Sequence, residues 1–347
     1  MKIAFFGSGE FGLECLTAVE NSSHDLVLIV TAPPCPAGRG RKQNPTPVAK
    51  WAASNSIPLL ETCQINDPEI IAKIADYNPD LILVIAFGQK INAKLVHMPP
   101  KGSINVHASL LPKYRGAAPI NWAIINGETE TGISIITLAD KMDAGKIIAQ
   151  SKTQIAPDET AGSLHDRLAK SAAPLLLETL DKIDSGTAVY IEQHHSKATL
   201  APKLSKSDGN IDFNESAQIL ERKIRGFWPW PGASANYINK ETAKSVRVTF
   251  AQAQVVDSNL NKSSNGNRLR GSLRNTSDGN RNEQRNRSTI ADSSCTPGTL
   301  DENLDIVCSE NALKIIKIKP SGSGLMDFKS FINGRNTKPG DSFVKIG

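Results

Sequence analysis

The opening of the chain constrains its fold more than any other stretch. Lys2-Ile3-Ala4-Phe5-Phe6 is a short apolar run, broken by Gly7-Ser8-Gly9-Glu10-Phe11-Gly12. Leu13, Leu16 and Val19 then recur at helical spacing, and Asp25-Leu26-Val27-Leu28-Ile29-Val30 is a second apolar run. A β-α-β opening of this kind implies a parallel sheet with helices covering it, hence an α/β fold.

The glycine turn spells G-x-G-x-x-G, the pattern that cradles a dinucleotide pyrophosphate. The second strand, however, ends in Thr31-Ala32-Pro33, with no acidic residue to hold a ribose hydroxyl. The expectation is a tight strand-to-helix turn in which glycine supplies backbone freedom, and no NAD. Residues Pro33 to Pro47 follow, rich in Pro, Gly and cations, with Pro36-Ala37-Gly38-Arg39-Gly40-Arg41-Lys42 at their centre. With so few apolar residues this reads as an exposed arm. Its cations either are simply solvated or grip phosphates and base edges. Helices are expected from Thr46 to Asn55 and from Pro68 to Tyr77, and strands from Ile57 to Leu60 and from Leu81 to Ile85.

Chemistry gathers between Gly102 and Gly145. Ser103-Ile104-Asn105-Val106-His107 alternates polar and apolar residues, as a strand does, so Asn105 and His107 leave from one face. A loop through Pro112 leads to a helix over residues 116–126. Ile133-Ser134-Ile135-Ile136 reads as another strand, and Met142-Asp143-Ala144-Gly145 puts a carboxylate in a glycine-closed turn. An amide, an imidazole and a carboxylate therefore sit at strand ends and turns, where open α/β folds keep their chemistry. No serine or cysteine stands in a nucleophile elbow beside His107. His194 and His195 are adjacent and lack a partner at ligand spacing, so no metal is expected. What remains is acid–base and oxyanion chemistry, with Asn as donor, His as donor or shuttle and Asp as orienter or base. The plainer alternative is a satisfied polar pair in a turn.

At 347 residues the chain can hold two domains. A net charge of +5 is compatible with a nucleic-acid partner without requiring one. The five cysteines are odd in number and widely spaced, which argues against a disulfide framework and for a reducing compartment. No apolar run is long enough to span a bilayer, and Lys2–Phe6 is too short for a signal peptide, so a cytoplasmic protein without membrane contact is expected. After a long amphipathic helix from His165 to Leu180, Ala201-Pro202-Lys203-Leu204 marks a change of style, and a domain boundary is placed near 205. One helix, Ser216 to Arg225, precedes short alternating strands at Ala235–Ile238, Ser245–Ala251, Asp305–Cys308 and Ala312–Ile318, which suggest a small barrel or sandwich. Asp257 to Thr296 is polar and arginine-rich, with too little apolar surface to offset ordering entropy, and reads as a disordered insertion between two of those strands.

The run Asn105-Val106-His107-Ala108-Ser109-Leu110-Leu111-Pro112-Lys113-Tyr114-Arg115-Gly116-Ala117-Ala118-Pro119-Ile120, together with Met142-Asp143-Ala144-Gly145, closely resembles the folate-dependent formyltransferases. The likeness runs from Lys2 to Val256 and resumes at Gly298. The Arg39 loop, Ala201-Pro202-Lys203-Leu204 and Trp228-Pro229-Trp230-Pro231-Gly232-Ala233 point to the branch that works on initiator methionyl-tRNA. The resemblance implies a Rossmann-like formyltransferase domain at 1–204 and an OB-like barrel at 205–347 lying along the tRNA. It implies formyl transfer from 10-formyltetrahydrofolate to the methionyl α-amine, by a monomer. Asn105 and His107 would hold the formyl oxygen, and Asp143 would orient His107 and relay protons. The folate would lie against Ser109, Leu110, Leu111 and Pro112 and against Ala86, Phe87 and Gly88, while Arg39, Arg41 and Lys42 would meet the tRNA acceptor end. Two departures stand out: Gly7-Ser8-Gly9 replaces the usual Gly-Thr-Pro, and the 257–296 insertion is atypical. The alternatives are a formyltransferase acting on an amino-sugar nucleotide, with the same chemistry, and a non-catalytic RNA-binding relative. The short glycinamide-nucleotide enzyme is disfavoured by the whole C-terminal half.

Overall fold

The structure, a computed structural model, describes residues 1–37, 42–257 and 296–347. They form two compact units, Met1–Leu204 and Ser205–Gly347. The first unit runs β1 (Lys2–Gly7), α1 (Leu13–Glu20), β2 (Asp25–Thr31), β3 (Cys35–Ala37), β4 (Lys42–Asn44), α2 (Pro47–Ser54), β5 (Leu59–Glu61), α3 (Pro68–Ala75) and β6 (Leu81–Ile85). It continues through α4 (Ala93–Val96), β7 (Ser103–His107), β8 (Arg115–Gly116), α5 (Pro119–Ile125), β9 (Glu130–Thr137), β10 (Ile147–Gln154), α6 (Ala161–Asp184) and β11 (Leu200–Ala201). The main sheet has the order β10-β9-β7-β6-β1-β2-β5. β7, β6, β1, β2 and β5 are parallel, and β9 and β10 join antiparallel at one edge. The sheet is thus mostly parallel, as the opening residues implied.

β1 shows why the sheet is covered on both faces. Ile3 and Phe5 pack with Leu16 and Val19 of α1 and Leu164, Leu168, Leu176 and Leu180 of α6. Ala4 and Phe6 turn the other way, to Leu28, Val30, Ile71 and Ile74. Alternation along one buried strand therefore feeds two cores. The turn after β1 is steric in origin. A Cβ on Gly7 would lie 2.4 Å from the Ile85 carbonyl oxygen, and one on Gly12 would lie 2.8 Å from the Phe5 ring. Ser8 Oγ accepts from Thr31 Oγ1 and from the Ala32 N–H, both at 3.1 Å, so the end of β2 is closed onto this turn by hydroxyls.

Several expected bounds shift. The strand expected at 57–60 forms at Leu59–Glu61, and the helix expected at 116–126 begins only at Pro119. The helix expected from His165 starts at Ala161, because Thr160 and Ser163 form a capping box there. β10 was not foreseen. It is an edge strand whose exposed face carries Gln150, Lys152 and Gln154, so it shows no apolar run. Cys35, Pro36 and residues 43–45 of the Pro33–Pro47 arm are exposed, and the arm contains a two-stranded ribbon: Cys35, Pro36 and Ala37 pair antiparallel with Asn44, Gln43 and Lys42. Ladder hydrogen bonds need no apolar side chains, which is why composition hid the ribbon. Arg39 and Arg41 lie outside the described residues, and Lys42 opens β4.

The first α-helix of the second unit is α7 (Ala217–Phe227), whose N-cap is Ser216. Its strands are β12 (Ala233–Ile238), β13 (Ser245–Val256), β14 (Ile306–Val307), β15 (Ala312–Pro320), β16 (Met326–Asp327) and β17 (Ser342–Val344), with α8 (Phe328–Arg335) after β16. The strand order β14-β15-β13-β12-β17 is antiparallel throughout. Thr299 bridges Ser342 of β17 and Leu300 bridges Ile306 of β14, so residues 299–300 nearly close the sheet into a barrel. Phe213, Tyr237, Phe250, Phe331 and Phe343 fill it, with Phe250 and Phe343 ring centroids 5.4 Å apart. The expected insertion at 257–296 lies outside the described residues except for its two ends.

One carboxyl in this unit is out of its usual range. Burial, reinforced by Asp301 and opposed by Lys314, pushes Asp305 up from 3.8 to about 6. A carboxyl raised on folding keeps a proton that the unfolded chain has already released, so stability falls as pH rises through that window. Asp305→Asn removes this penalty. It should raise the Tm at neutral pH and leave it unchanged below 3.8, where both states are protonated. Thermal melts of both proteins across pH check this, and an equal shift at every pH would contradict it.

Candidate active site

The C-terminal ends of β6 and β7 and the turn between β9 and β10 form the site. Alternation along β7 sends Asn105 and His107 to the same side, and Asp143 meets both of them. Asn105 Nδ2 lies 3.4 Å from Asp143 Oδ1, and His107 Nδ1 lies 3.6 Å from Asp143 Oδ2. The Gly116 N–H donates to Oδ2 at 2.8 Å and fixes the carboxylate. His107 is 6 % exposed and the Asp143 side chain 13 %, while Asn105 is half-buried. The three residues singled out from sequence therefore share one site.

The histidine is held differently from the expectation. Its Nε2 lies 2.9 Å from the Tyr114 carbonyl, which can only accept, so this nitrogen carries a hydrogen. Asp143 faces the other nitrogen at a distance beyond a direct hydrogen bond. The principal orienter of the ring is thus Tyr114 rather than Asp143. Nδ1 is the nitrogen left for substrate: it donates when the ring carries both hydrogens and accepts when it carries one. Tyr114 earns attention for its backbone, with φ 63°, in the left-handed region. Ala86 (φ 51°) and Asp143 (φ 50°) share that conformation, so strained backbone, at about 1–3 kcal/mol each, clusters at this site. The Tyr114 hydroxyl donates to Glu128 Oε1 at 2.9 Å. Burial, with Glu128 adding and the Asn126 amide opposing, pushes its phenol up to about 12, so it stays a donor.

The expected folate-contacting residues divide by exposure. Ala86 and Gly88 are exposed, and the space beside Gly88 is open, with no atom within 4 Å of an added Cβ. Leu110 and Pro112 are half-buried. Phe87 and Leu111 are buried, the former 5.4 Å from the Phe6 ring, and Ser109 is buried with its hydroxyl donating to the Lys113 carbonyl. Contact with a ligand can come from the first four side by side with main-chain groups of the others. A separate open cleft of about 480 Å³ is lined by Cys63, Gln64, Ile65, Asn66, Asp67, Gln89 and Lys90. Sequence reasoning missed Gln193, only 5 % exposed, whose amide nitrogen donates to the carbonyls of both Asp143 and Gly145. It also missed the Tyr114 carbonyl, since no side-chain pattern announces a main-chain acceptor. Among the described residues no cluster of His, Cys, Asp or Glu could hold a metal ion, and no helix is long and apolar enough to cross a membrane.

Residues 1–180 match the formyl transferase family, and residues 203–336 match the formyl transferase C-terminal domain. The chain belongs to the formyl transferase family. It is 43% identical over 251 residues to the methionyl-tRNA formyltransferase of Geobacter metallireducens, covering 72% of this chain and 80% of that one. It is 34% identical over 344 residues to the methionyl-tRNA formyltransferase of Agathobacter rectalis, covering 99% of this chain and all of that one. In fold it is similar to the N-formyltransferase of Helicobacter canadensis, solved with folinic acid and dTDP-3-aminofucose. The TM-score there is 0.53 at 18% identity, covering 74% of this chain and 88% of that one. As a member of this family the chain is a formyl-transferring enzyme.

Proposed function

We propose that this enzyme moves the formyl group of 10-formyltetrahydrofolate to the α-amine of initiator methionyl-tRNA. The observation that carries the reading is the convergence of Asn105 and His107 on Asp143, in a chain 34% identical to a methionyl-tRNA formyltransferase across both of its units. A free α-amine titrates near pKa ~7.7–8.0, so a useful neutral fraction exists at neutral pH and no strong base is needed before attack. The site must supply position and a home for the developing oxyanion. Asn105 has a second amide hydrogen for the formyl oxygen beside the one aimed at Asp143, and His107 Nδ1 adds a donor when the ring is doubly protonated. As the amine adds to the formyl carbon it must lose a proton. Asp143, the one carboxylate of the three, takes it and passes it toward the departing folate nitrogen, with water as the link. The folate lies against Ala86, Gly88, Leu110 and Pro112, where side chains are small or half-exposed, and against main-chain groups of Phe87, Ser109 and Leu111.

The tRNA contacts belong to Arg39, Arg41 and Lys42, and the barrel adds a basic outer row: Lys314, Lys317 and Lys319 are exposed along β15. Each phosphate contact contributes about 0.9 to the log–log slope of affinity against salt. The double variant Arg39→Ala/Arg41→Ala should therefore weaken tRNA binding and flatten that slope by roughly one to two. Filter binding over a salt series measures it, and an unchanged slope would remove the loop from the interface. The chain acts as a monomer in the cytoplasm.

Incubation with 10-formyltetrahydrofolate and either methionyl initiator tRNA or an amino-sugar nucleotide tests the acceptor. Transfer to the tRNA alone is expected. Transfer to the sugar alone would replace this reading with the other, and transfer to neither would leave a binding protein.

A further inference from the structure

We propose that Gln193 is a positioning residue for the transfer step: its buried carboxamide clamps the turn that bears Asp143 to Arg115. The inference rests on the reading of the site given under Proposed function.

The turn needs an external hold. Lys141, Met142 and Lys146 are exposed, Met142 to 71 %, so the segment anchors itself with little apolar burial. Asp143 also sits in the left-handed region, a conformation that a side chain resists unless its surroundings enforce it. Gln193 supplies that hold through both ends of its amide. Nε2 donates to the Asp143 carbonyl at 2.9 Å and to the Gly145 carbonyl at 2.7 Å. Oε1 accepts from Arg115 Nε at 3.2 Å and from Arg115 Nη2 at 2.5 Å. Both amide hydrogens and the carbonyl oxygen are therefore in use. The orientation is also unique. Flipping the amide would set its oxygen against two carbonyl oxygens and its NH₂ against a guanidinium, so every contact would be repulsive.

Two further contacts make the clamp stiff. Ile191 and Ile147 exchange backbone hydrogen bonds at 2.8 Å in each direction, which seats the strap carrying Gln193 just beyond the turn. Arg115 immediately precedes Gly116, whose N–H binds Asp143 Oδ2. Gln193 thus fixes the main chain of Asp143 relative to the residue that fixes its carboxylate. Gln193 bonds to no group of Asn105 or His107, so its direct hold on the reacting groups is on Asp143, and its grip on Arg115 reaches His107 only by way of the Tyr114 main chain.

Three substitutions separate this role from simple packing. Gln193→Glu keeps the acceptor for Arg115 but turns an oxygen toward the two carbonyls. Gln193→Met keeps the volume and loses both ends. Each should lower kcat for formyl transfer to methionyl initiator tRNA by about 10–10²-fold, the scale expected when a reacting group is misplaced by about 1 Å, with KM for both substrates little changed. The decisive readout is a double-mutant cycle with Asp143→Asn. If Gln193 acts through Asp143, adding Gln193→Glu to Asp143→Asn costs little beyond the single substitution. Full additivity in that cycle, or wild-type kcat in Gln193→Glu, would overturn the proposal. Thermal melts accompany each variant, and a loss of kcat only above the onset of unfolding would likewise count against it. Should the unsubstituted enzyme transfer formyl to an amino-sugar nucleotide instead, the acceptor reading fails while the same cycle, run on that acceptor, still decides the role of Gln193. An unsubstituted protein inactive with either acceptor overturns both.

Discussion

His107→Ala should lower kcat for formyl transfer by at least ~10²–10³-fold, and Asn105→Ala by about that factor, the loss typical of one oxyanion donor, or roughly 2.7–4 kcal/mol. Asn105 is the cleaner case. It is half-buried and its one contact to Asp143 is long, 3.4 Å, so removing it disturbs little of the ground-state structure. His107 is deeper. Its removal leaves the buried Tyr114 carbonyl without its 2.9 Å partner, so some stability should go with activity, about 1–3 kcal/mol. Rates measured well below the melting transition separate the two losses. Near wild-type formylation by both variants would show that these side chains are a satisfied polar pair and nothing more.

The second large effect should come from a residue with no functional group. Gly145→Ala would place a Cβ 1.8 Å from the Thr137 carbonyl oxygen. Thr137 cannot simply yield, because its N–H donates to the Lys146 carbonyl at 3.0 Å and its hydroxyl accepts from the Lys146 N–H at 3.0 Å. The turn must move instead, and Asp143 moves with it. A shift near 1 Å corresponds to about 10²-fold in kcat. Steady-state kinetics with a thermal melt check this; a variant of unchanged kcat would show that the carboxylate tolerates displacement.

How much of this was legible in the sequence depends on the range of each interaction. The parallel sheet was legible because apolar runs and the glycine turn are local signals. Asn105 and His107 could be placed on one side because a strand has a period of two. Asp143 could be seen as a carboxylate in a turn, but its meeting with β7 depends on β9 pairing antiparallel with β7, which no local pattern states. Gln193 lies far along the chain from the turn it holds, beyond α6, and carries no periodic signal. The near-closure of the barrel rests on single bridges at Thr299 and Leu300, too short to read as a strand. β10 was hidden for the opposite reason: an edge strand facing solvent looks like a polar loop.

The most direct measurement is a crystal structure of the enzyme with a stable formyl-bearing folate. The formyl oxygen is expected within about 3 Å of Asn105 Nδ2, with His107 Nδ1 and the Asp143 carboxylate beside the formyl carbon and the folate against Ala86 and Gly88. A folate seated wholly in the cleft of Cys63, Gln64 and Gln89, its formyl group out of reach of all three side chains, would contradict the assignment of the site.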